Sequence, residues 1–247
     1  MFLVGHDSLT GMPGKLISDF RAASPGSRAF KARLVELTAI AIHDIAVQLF
    51  ALKLGGHADD GMATWVPEKD DLFWNWYDGP WPTLFRHPWY VAYDQYPSGI
   101  ADGVGFWAEA RIFGGVILFD RRRTEGDPDS VWLHPDRDGG TYRMCQLLDE
   151  QRLQFLEFLT SETPDMKLLP IPINRENTKR EDPEEAMEVT GIYRHEWEGK
   201  PLGPDEPDAR LADTWDKIDF PTRSDLDRAQ ERAYNRKYPP DPDESEY

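Results

Sequence analysis

The chain has very little cysteine and a deficit of positive charge. Cys145 is the only cysteine among 247 residues, which excludes an intramolecular disulfide and a zinc site built from several thiolates. A single thiol is typical of reducing compartments, so we expect a cytoplasmic protein. The formal net charge of -17 would repel a phosphate backbone, and we therefore expect no nucleic-acid partner.

The sequence also shows no pattern typical of a leader, a long apolar run or a nucleotide-binding loop. The N-terminal residues lack a charged region followed by an apolar stretch, so no signal peptide is expected. No uninterrupted apolar run reaches the roughly 18 residues that a membrane-spanning helix needs, and we expect no membrane partner. No glycine-rich loop stands between a strand and a helix, so no nucleotide, flavin or nicotinamide cofactor is predicted.

Metal-binding motifs are equally scarce. His57 and Asp59 have the spacing that begins an iron site of two histidines and one carboxylate, but they follow a predicted helix rather than a strand. The double-stranded β-helix that usually carries such a site needs more strands than this sequence predicts. We therefore predict no metal site and no cofactor.

One long helix is predicted in the first quarter of the chain. Apolar residues recur every three or four positions from Leu34 to Leu52, and the glycine pair at 55–56 supplies a stop. From Ala39 onward the helix is apolar nearly all round, which predicts burial on most sides, and His43 is a conspicuous polar exception. A core histidine satisfied by a hydrogen bond and a histidine on the floor of a pocket both fit this position.

The middle of the chain predicts a sheet. Residues 104–112 alternate in polarity and are followed, after a glycine pair, by the apolar run 116–120, so the two are predicted to form a hairpin. Residues 130–134 are a third predicted strand, and residues 142–160 are a second predicted helix. The predicted fold class is α+β: a single domain with a mainly antiparallel curved sheet, a long buried helix and an extended acidic C-terminal tail.

Three regions differ in composition. Residues 1–26 hold several glycine, proline and serine residues and are predicted as a flexible N-terminal arm, and residues 27–175 as the α+β core domain. Residues 176–247 hold 21 acidic and 11 basic residues, which is too polar for a separate core. We predict an extended tail packed on the core, with a short helix near residues 224–235. Four aromatic residues are predicted to pin the tail: Tyr193, Trp197, Trp215 and Phe220.

Aromatic residues are concentrated at residues 73–107, which hold 12 of the 30 in the chain. Aromatic walls with a few convergent polar groups are typical of apolar ligand pockets, but an irregular core of large side chains has the same composition. The candidate substrate-binding residues, for an apolar small molecule, are His43, Trp76, Trp89, Tyr90, Tyr93 and Trp107.

Four charged residues in and after this segment are the candidate catalytic groups: Arg86, His87, Asp102 and Glu109. His87 is a candidate general acid or base, and Arg86 is a candidate clamp for a carbonyl oxygen. A carboxyl group on an aromatic strand face, as predicted for Glu109 beside Trp107, would have a pKa raised by desolvation and would serve as a proton donor. Structural ion pairs, such as Glu109 with Arg111, are the alternative interpretation.

The chain resembles a family of proteins from filamentous fungi in one long segment, GPWPTLFRHPWYVAYDQYPSGIADGVGFWAEARIFGGVILFDR. The later stretches TYRMCQLLDEQ, DPEEA and GIYRHEWE fit the same pattern, so the resemblance spans about residues 38–200. Some members lie among secondary-metabolite biosynthesis genes, and the pattern is also similar to a norbornene-forming Diels–Alderase of a diterpene pathway. The resemblance implies a cytosolic biosynthetic protein and carries over no catalytic residue.

Together these features predict a cofactor-independent biosynthetic enzyme, a cyclase or pericyclase acting on an apolar terpenoid or polyketide intermediate. Such catalysis needs a cavity that fixes a reactive conformer and a donor that polarises one carbonyl. Two alternatives stay open. One is a non-catalytic binding or scaffold protein, and the other is a carbohydrate-active protein with two carboxylates facing each other across a groove.

Overall fold

The computed structural model describes residues 14–52, 83–122, 130–136, 140–183, 185–198, 218, 220–228 and 231. In these residues the fold is α+β, a single domain in which helices pack on a curled antiparallel half-barrel sheet, and this confirms the predicted fold class. Trp76, His57, Asp59 and much of the predicted tail lie outside the described residues.

Helices and strands follow one another along the described chain. The helices are α1 (Gly14–Ala22), α2 (Arg28–Ala51), α3 (Ile100–Phe113), α4 (Asp149–Thr160) and α5 (Met187–Thr190), with a 3₁₀ turn at Met166–Leu168. The strands are β1 (Val116–Asp120), β2 (Val131–His134), β3 (Met144–Gln146), β4 (Arg180–Glu181) and β5 (Ile192–Tyr193). Residues 223–228 are also helical and overlap the start of the short helix predicted for the tail near residues 224–235.

Helix α2 is the predicted long helix. It begins after Ser27, whose side chain accepts a hydrogen bond from the N–H of Phe30 at 3.1 Å and so caps the first turn. Its buried residues lie between Ala32 and His43. The last two turns expose apolar side chains, with Ile45 53% exposed, so the expectation that this half is buried on most sides is wrong.

Among the described helices, α2 is long and apolar enough, by length and composition, to cross a membrane. A core helix of a soluble protein passes the same test, and α2 places Glu36 and His43 in ion pairs with other parts of the protein. The expectation that no segment spans a membrane stays a prediction.

Helix α1 lies inside the predicted N-terminal arm and packs against α2. The ring of Phe20 stacks on Phe30 with centroids 4.7 Å apart, and Leu16 is buried. The sequence interpretation missed this helix, because nine residues flanked by glycine and proline are too few to establish a period.

The sheet has the order β4–β3–β2–β1–β5, and every neighbouring pair is antiparallel. Strands β1 and β2 confirm the predicted strands and pair in the register that sets Ile117 opposite Leu133. Every residue of β1 is buried, and its apolar side chains alternate between two core clusters. Ile117 and Phe119 pack with α2 and α4, whereas Val116 and Leu118 pack under the aromatic rings of Tyr90 and other residues.

Residues 100–113 form the helix α3, so the predicted strand at 104–112 is wrong. Its exposed face carries Ile100 and Ile112 and its buried face carries Asp102 and Glu109, so the polarity pattern does not distinguish this helix from a strand. Glycines with positive φ flank the helix, Gly99 at 60° and Gly114 at 92°. Asp102, in the first turn, accepts a hydrogen bond from the N–H of Ser98 at 2.6 Å and lies at the positive end of the helix dipole.

The second predicted helix, at 142–160, is wrong in its first two turns. Residues 144–146 are strand β3, and α4 begins only at Asp149. Gln151 determines this start, because its side-chain oxygen accepts a hydrogen bond from the N–H of Leu148 at 2.8 Å. The apolar residues ahead of Asp149 therefore face the core from a strand and a turn.

Candidate functional site

Five buried ionisable side chains meet where α2, α3 and the residues after β5 come together. They are His43, Asp102, Glu109, Arg194 and Glu198, each at most 6% exposed, and we call them the charged cluster. Buried charges are costly unless each one is paired and hydrogen-bonded. The pairing therefore determines what this cluster can do.

The imidazole of His43 lies between two carboxylates of α3. Asp102 and Glu109 are seven residues apart, which on a helix is about two turns and places both side chains on one face. Nδ1 of His43 is 2.9 Å from Glu109 Oε1, and Nε2 is 3.2 Å from Asp102 Oδ1. Burial alone would lower the pKa of His43, but the two carboxylates outweigh it and raise that pKa. Both ring nitrogens face carboxylates, which favours the imidazolium form that donates from each of them.

Arg194 forms a bidentate ion pair with Glu109. Its Nη1 is 2.8 Å from Oε2 and its Nη2 is 2.9 Å from Oε1 of that carboxylate. Burial alone would raise the pKa of Glu109, but Arg194 and His43 lower it. Burial likewise opposes the charge of Arg194, whose pKa is nonetheless raised by Glu109 and Glu198. Glu109 is therefore held as the ionised carboxylate.

Glu198 is in the opposite situation, although it shares the same arginine. Its Oε2 accepts a hydrogen bond from the N–H of Arg194 at 3.0 Å, while its Oε1 lies 3.5 Å from Arg194 Nε without a hydrogen bond of normal geometry. Burial raises the pKa of Glu198, and Arg194 only partly opposes this effect. Two cations balance the other two carboxylates, so the cluster is neutral when Glu198 carries a proton.

Aromatic rings surround the charged cluster and pack against one another. Phe106, which is fully buried, has ring-centroid distances of 4.1 Å to Tyr90, 5.7 Å to Tyr96 and 6.1 Å to Trp197. The ring of His43 meets Phe106 edge-on at 4.6 Å. The low-polarity surroundings are what desolvates the cluster and separates the pKa values of its two glutamates.

The structure does not bring His87 together with Asp102 and Glu109. His87 is 1% exposed and lies against His134, with 5.2 Å between their ring centroids. Burial and the nearby His134 lower its pKa well below 6.5. The candidate catalytic residues are therefore divided between the charged cluster and a second buried cluster on strand β2.

Arg86 and Tyr93 lie near each other at the edge of this region. Arg86 is partly exposed, and burial raises the pKa of Tyr93 while the charge of Arg86 opposes that shift. Trp107 is partly buried against Phe85, with 4.9 Å between the ring centroids. These residues border the clusters and do not belong to them.

The predicted pair of Glu109 with Arg111 is wrong. Residues two apart on a helix point to different sides, and Arg111 extends outward to Asp136, with 3.7 Å between Nη2 and Oδ2. Trp89, another candidate, stacks on Tyr142 at 5.9 Å beside the second buried cluster.

Sequence reasoning missed Arg194 and Glu198, which complete the charged cluster. Trp197, one of the aromatic residues predicted to anchor the tail, packs against Tyr96 and Phe106. Arg194 and Glu198 lie in the same short segment and are buried beside it. The available signal was the stretch GIYRHEWE, in which charged and aromatic residues are interleaved within an otherwise polar tail. Within it, Arg194 and Glu198 are four residues apart, and both side chains are buried together in the structure.

In the described part of the chain, no group of three or more histidine, cysteine, aspartate or glutamate side chains is arranged to hold a metal ion. The fold and the charged cluster define an α+β protein with a desolvated network of acids and bases. Comparison with known protein families, with curated proteins and with solved structures gives no match.

Gly105 provides a test of how tightly His43 is enclosed. Alanine in place of a helical glycine ordinarily stabilises a protein by about 1 kcal/mol. At Gly105 an added Cβ would lie 2.6 to 2.7 Å from three ring atoms of His43, and the two carboxylates hold that ring in place. We expect Gly105→Ala to lower the free energy of unfolding by about 1–3 kcal/mol, measured by urea denaturation.

The double variant Gly105→Ala, His43→Ala provides the control, because the clash is absent without the ring. We expect alanine at position 105 to be neutral or stabilising in the His43→Ala background. An increase in stability from Gly105→Ala in the otherwise unchanged protein would contradict the enclosure of His43.

Proposed function

We propose that the protein is a cofactor-independent enzyme that works by acid–base chemistry. The observation that carries this proposal is the pair Glu109 and Glu198, which share Arg194 while their surroundings move their pKa values in opposite directions. Divergent pKa values of neighbouring carboxyl groups are typical of the acid and the base of one active site. In this proposal Glu198 is the proton donor, and Glu109 holds Arg194 in position.

Within that class, we assign the protein as a cyclase or pericyclase that acts on an apolar terpenoid or polyketide intermediate. A hydrogen bond from protonated Glu198 to a substrate carbonyl would stabilise the charge that develops on its oxygen. The rings around Phe106 would hold the intermediate in a reactive conformer. The resemblance of residues 38–200 to fungal biosynthetic proteins supports the same assignment.

A non-catalytic binding or scaffold protein is the second candidate, and the packing favours it in two ways. The rings of Tyr90 and Phe106 stack on each other, and both ring nitrogens of His43 are bonded to carboxylates. In such a protein the charged cluster would specify how α2 and α3 pack. A carbohydrate-active protein gains no support here, because Asp102 and Glu109 both bind His43 instead of facing each other across a groove.

A metabolite comparison tests the enzymatic proposal, because a cyclisation leaves the elemental composition unchanged. We compare a strain that lacks the gene with strains that carry the wild-type chain or the variant Glu198→Gln. The deletion and Glu198→Gln strains are expected to accumulate a precursor that is an isomer of the missing product. Desalted wild-type protein, with no cofactor added, should then convert the isolated precursor into the product.

The variant Glu150→Gln is the matched control, since Glu150 is exposed on α4 and its strain should match the wild type. Circular dichroism and thermal melting establish that the Glu198→Gln protein is folded. Identical metabolites in all strains would support the scaffold instead. If the accumulated and missing compounds differed in composition, cyclisation would be excluded.

A further inference from the structure

Residues 83–96, which we call the covering segment, lie over strand β2 and Phe106 without regular secondary structure. Three of its backbone N–H groups bond to side chains of the segment itself: Phe85 donates to Thr83 Oγ1 at 3.2 Å, Trp89 donates to His87 Nδ1 at 3.2 Å, and Ala92 donates to the Tyr96 hydroxyl at 3.3 Å. Rings and side-chain hydrogen bonds attach the segment to the sheet. Segments of this kind open at a lower free-energy cost than core strands.

The hydrogen bonds of His134 require a neutral ring with one defined tautomer. Nε2 lies 3.1 Å from the carbonyl oxygen of Tyr142, which can only accept, so Nε2 carries the hydrogen. Nδ1 therefore accepts from the hydroxyl of Tyr90 at 3.1 Å. This bond joins the covering segment to β2.

The contacts of His87 define a tautomer in the same way. The N–H of Trp89 can only donate, so Nδ1 of His87 is an acceptor and Nε2 carries the hydrogen. Nε2 is buried and has no hydrogen bond of normal geometry, although the backbone of residues 134–135 lies near it. A proton added to His87 would therefore enter at Nδ1, directly against the N–H of Trp89.

Protonation of either ring disturbs an attachment of the covering segment. On His87 it sets two donors against each other. On His134 it reverses the bond, so that Tyr90 accepts where it now donates and its buried hydroxyl hydrogen loses its acceptor. The neighbouring charges offer no compensation: His87 faces His134 and the positive Arg111, and the carboxylate of Asp136 pairs with Arg111. The other side chains packed on the two rings are Trp89, Tyr90 and Tyr142.

We propose that His87 and His134 form an acid-sensitive switch, in which their protonation releases the covering segment from strand β2 and uncovers Phe106. The switch stands on the geometry of these two histidines and does not depend on the chemistry of Glu198. Opening would nevertheless expose the aromatic side of the charged cluster, and so would control access to it.

The direction of the pH dependence follows from proton linkage. Burial lowers the pKa of His134 to about 3, and burial with the nearby His134 lowers that of His87 as well. In the open state both histidines would have the ordinary pKa, near 6.5, so that the open state binds more protons than the closed one. The closed state is therefore favoured above about pH 6.5 and lost as the pH falls, with up to about 100-fold more opening per pH unit for two protons.

Hydrogen exchange with mass spectrometry between about pH 7.5 and pH 4.5 tests the switch, after correction for the intrinsic exchange rate. Peptides that cover residues 83–96 are expected to show an opening constant that rises steeply below about pH 6.5. Peptides from α4 are the internal reference and should change little. An opening constant independent of pH, or an equal rise in α4 from global unfolding, would overturn the proposal.

Non-titrating variants identify the groups responsible. His87→Asn and His134→Asn should each reduce the dependence to about tenfold per pH unit, and the double variant should abolish it. His195→Asn is the matched control, because this histidine also has a pKa lowered to about 3 by burial but lies outside the covering segment. An undiminished pH dependence in the double variant, or its loss in His195→Asn, would refute the assignment. If the variants fail to fold, the pH dependence of hydrogen exchange in the wild-type protein, compared between residues 83–96 and α4, still tests the switch.

Discussion

The variant Arg194→Met is expected to lower the free energy of unfolding by about 3–5 kcal/mol, because it breaks a buried ion pair from one side only. The side chain of Arg194 is 1% exposed and donates to both oxygens of Glu109. Without it, His43 is the one remaining cation of the charged cluster, against the carboxylates of Asp102 and Glu109. Urea denaturation monitored by circular dichroism measures the loss.

The double variant Arg194→Met, Glu109→Gln removes both charges of this pair, and we expect it to recover at least half of the lost stability. Arg152→Met is the control for a surface pair. Arg152 bonds to Asp149 at 2.8 Å, but the side chain of Asp149 is 86% exposed, so we expect a loss below about 1 kcal/mol. Equal losses for Arg194→Met and Arg152→Met would contradict a buried, closely coupled cluster.

The elements that sequence reasoning predicted correctly are those whose pattern has one clear period. Helix α2 has apolar spacings of three and four, and strands β1 and β2 are short apolar runs bounded by glycine, acidic and proline residues. Helix α3 has no such period, because its exposed face carries the apolar Ile100 and Ile112 while its buried face carries Asp102 and Glu109. Its glycines also lower helix propensity, and Gly105 is present because the ring of His43 occupies the position of a side chain.

This one error also concealed the arrangement of the site. Asp102 and Glu109 were both candidates, but residues seven apart on a strand lie on opposite faces, whereas on a helix they share one. His43 was a candidate too, yet its position between them follows only from the helix. Arg194 lies 85 residues beyond Glu109 along the chain, and no local pattern encodes a contact over that distance.

The variant Phe106→Ala is expected to cost about 3–5 kcal/mol of folding stability, measured by urea denaturation. Phe106 is fully buried and lies where Tyr90, Trp197 and the guanidinium of Arg194 converge, with Arg194 Cζ 5.7 Å from its ring centroid. Truncation removes these contacts and leaves a cavity against the charged cluster. Phe106→Leu keeps most of the volume and should lose less.

Ile112→Ala is the discriminating control, since a strand at 104–112 would place Phe106 and Ile112 on the same apolar face. On helix α3 the two diverge, and Ile112 is 40% exposed, so we expect its truncation to cost less than about 1 kcal/mol. Similar losses for the two variants would contradict the helix.

A cavity at Phe106 should also admit water beside Glu198. Because desolvation raises the pKa of that carboxyl, the pKa of Glu198 should fall toward the ordinary value in Phe106→Ala. Carbon-13 NMR titration of the glutamate carboxyl groups would measure that change, and an unaltered pKa would show that Phe106 does not desolvate the cluster.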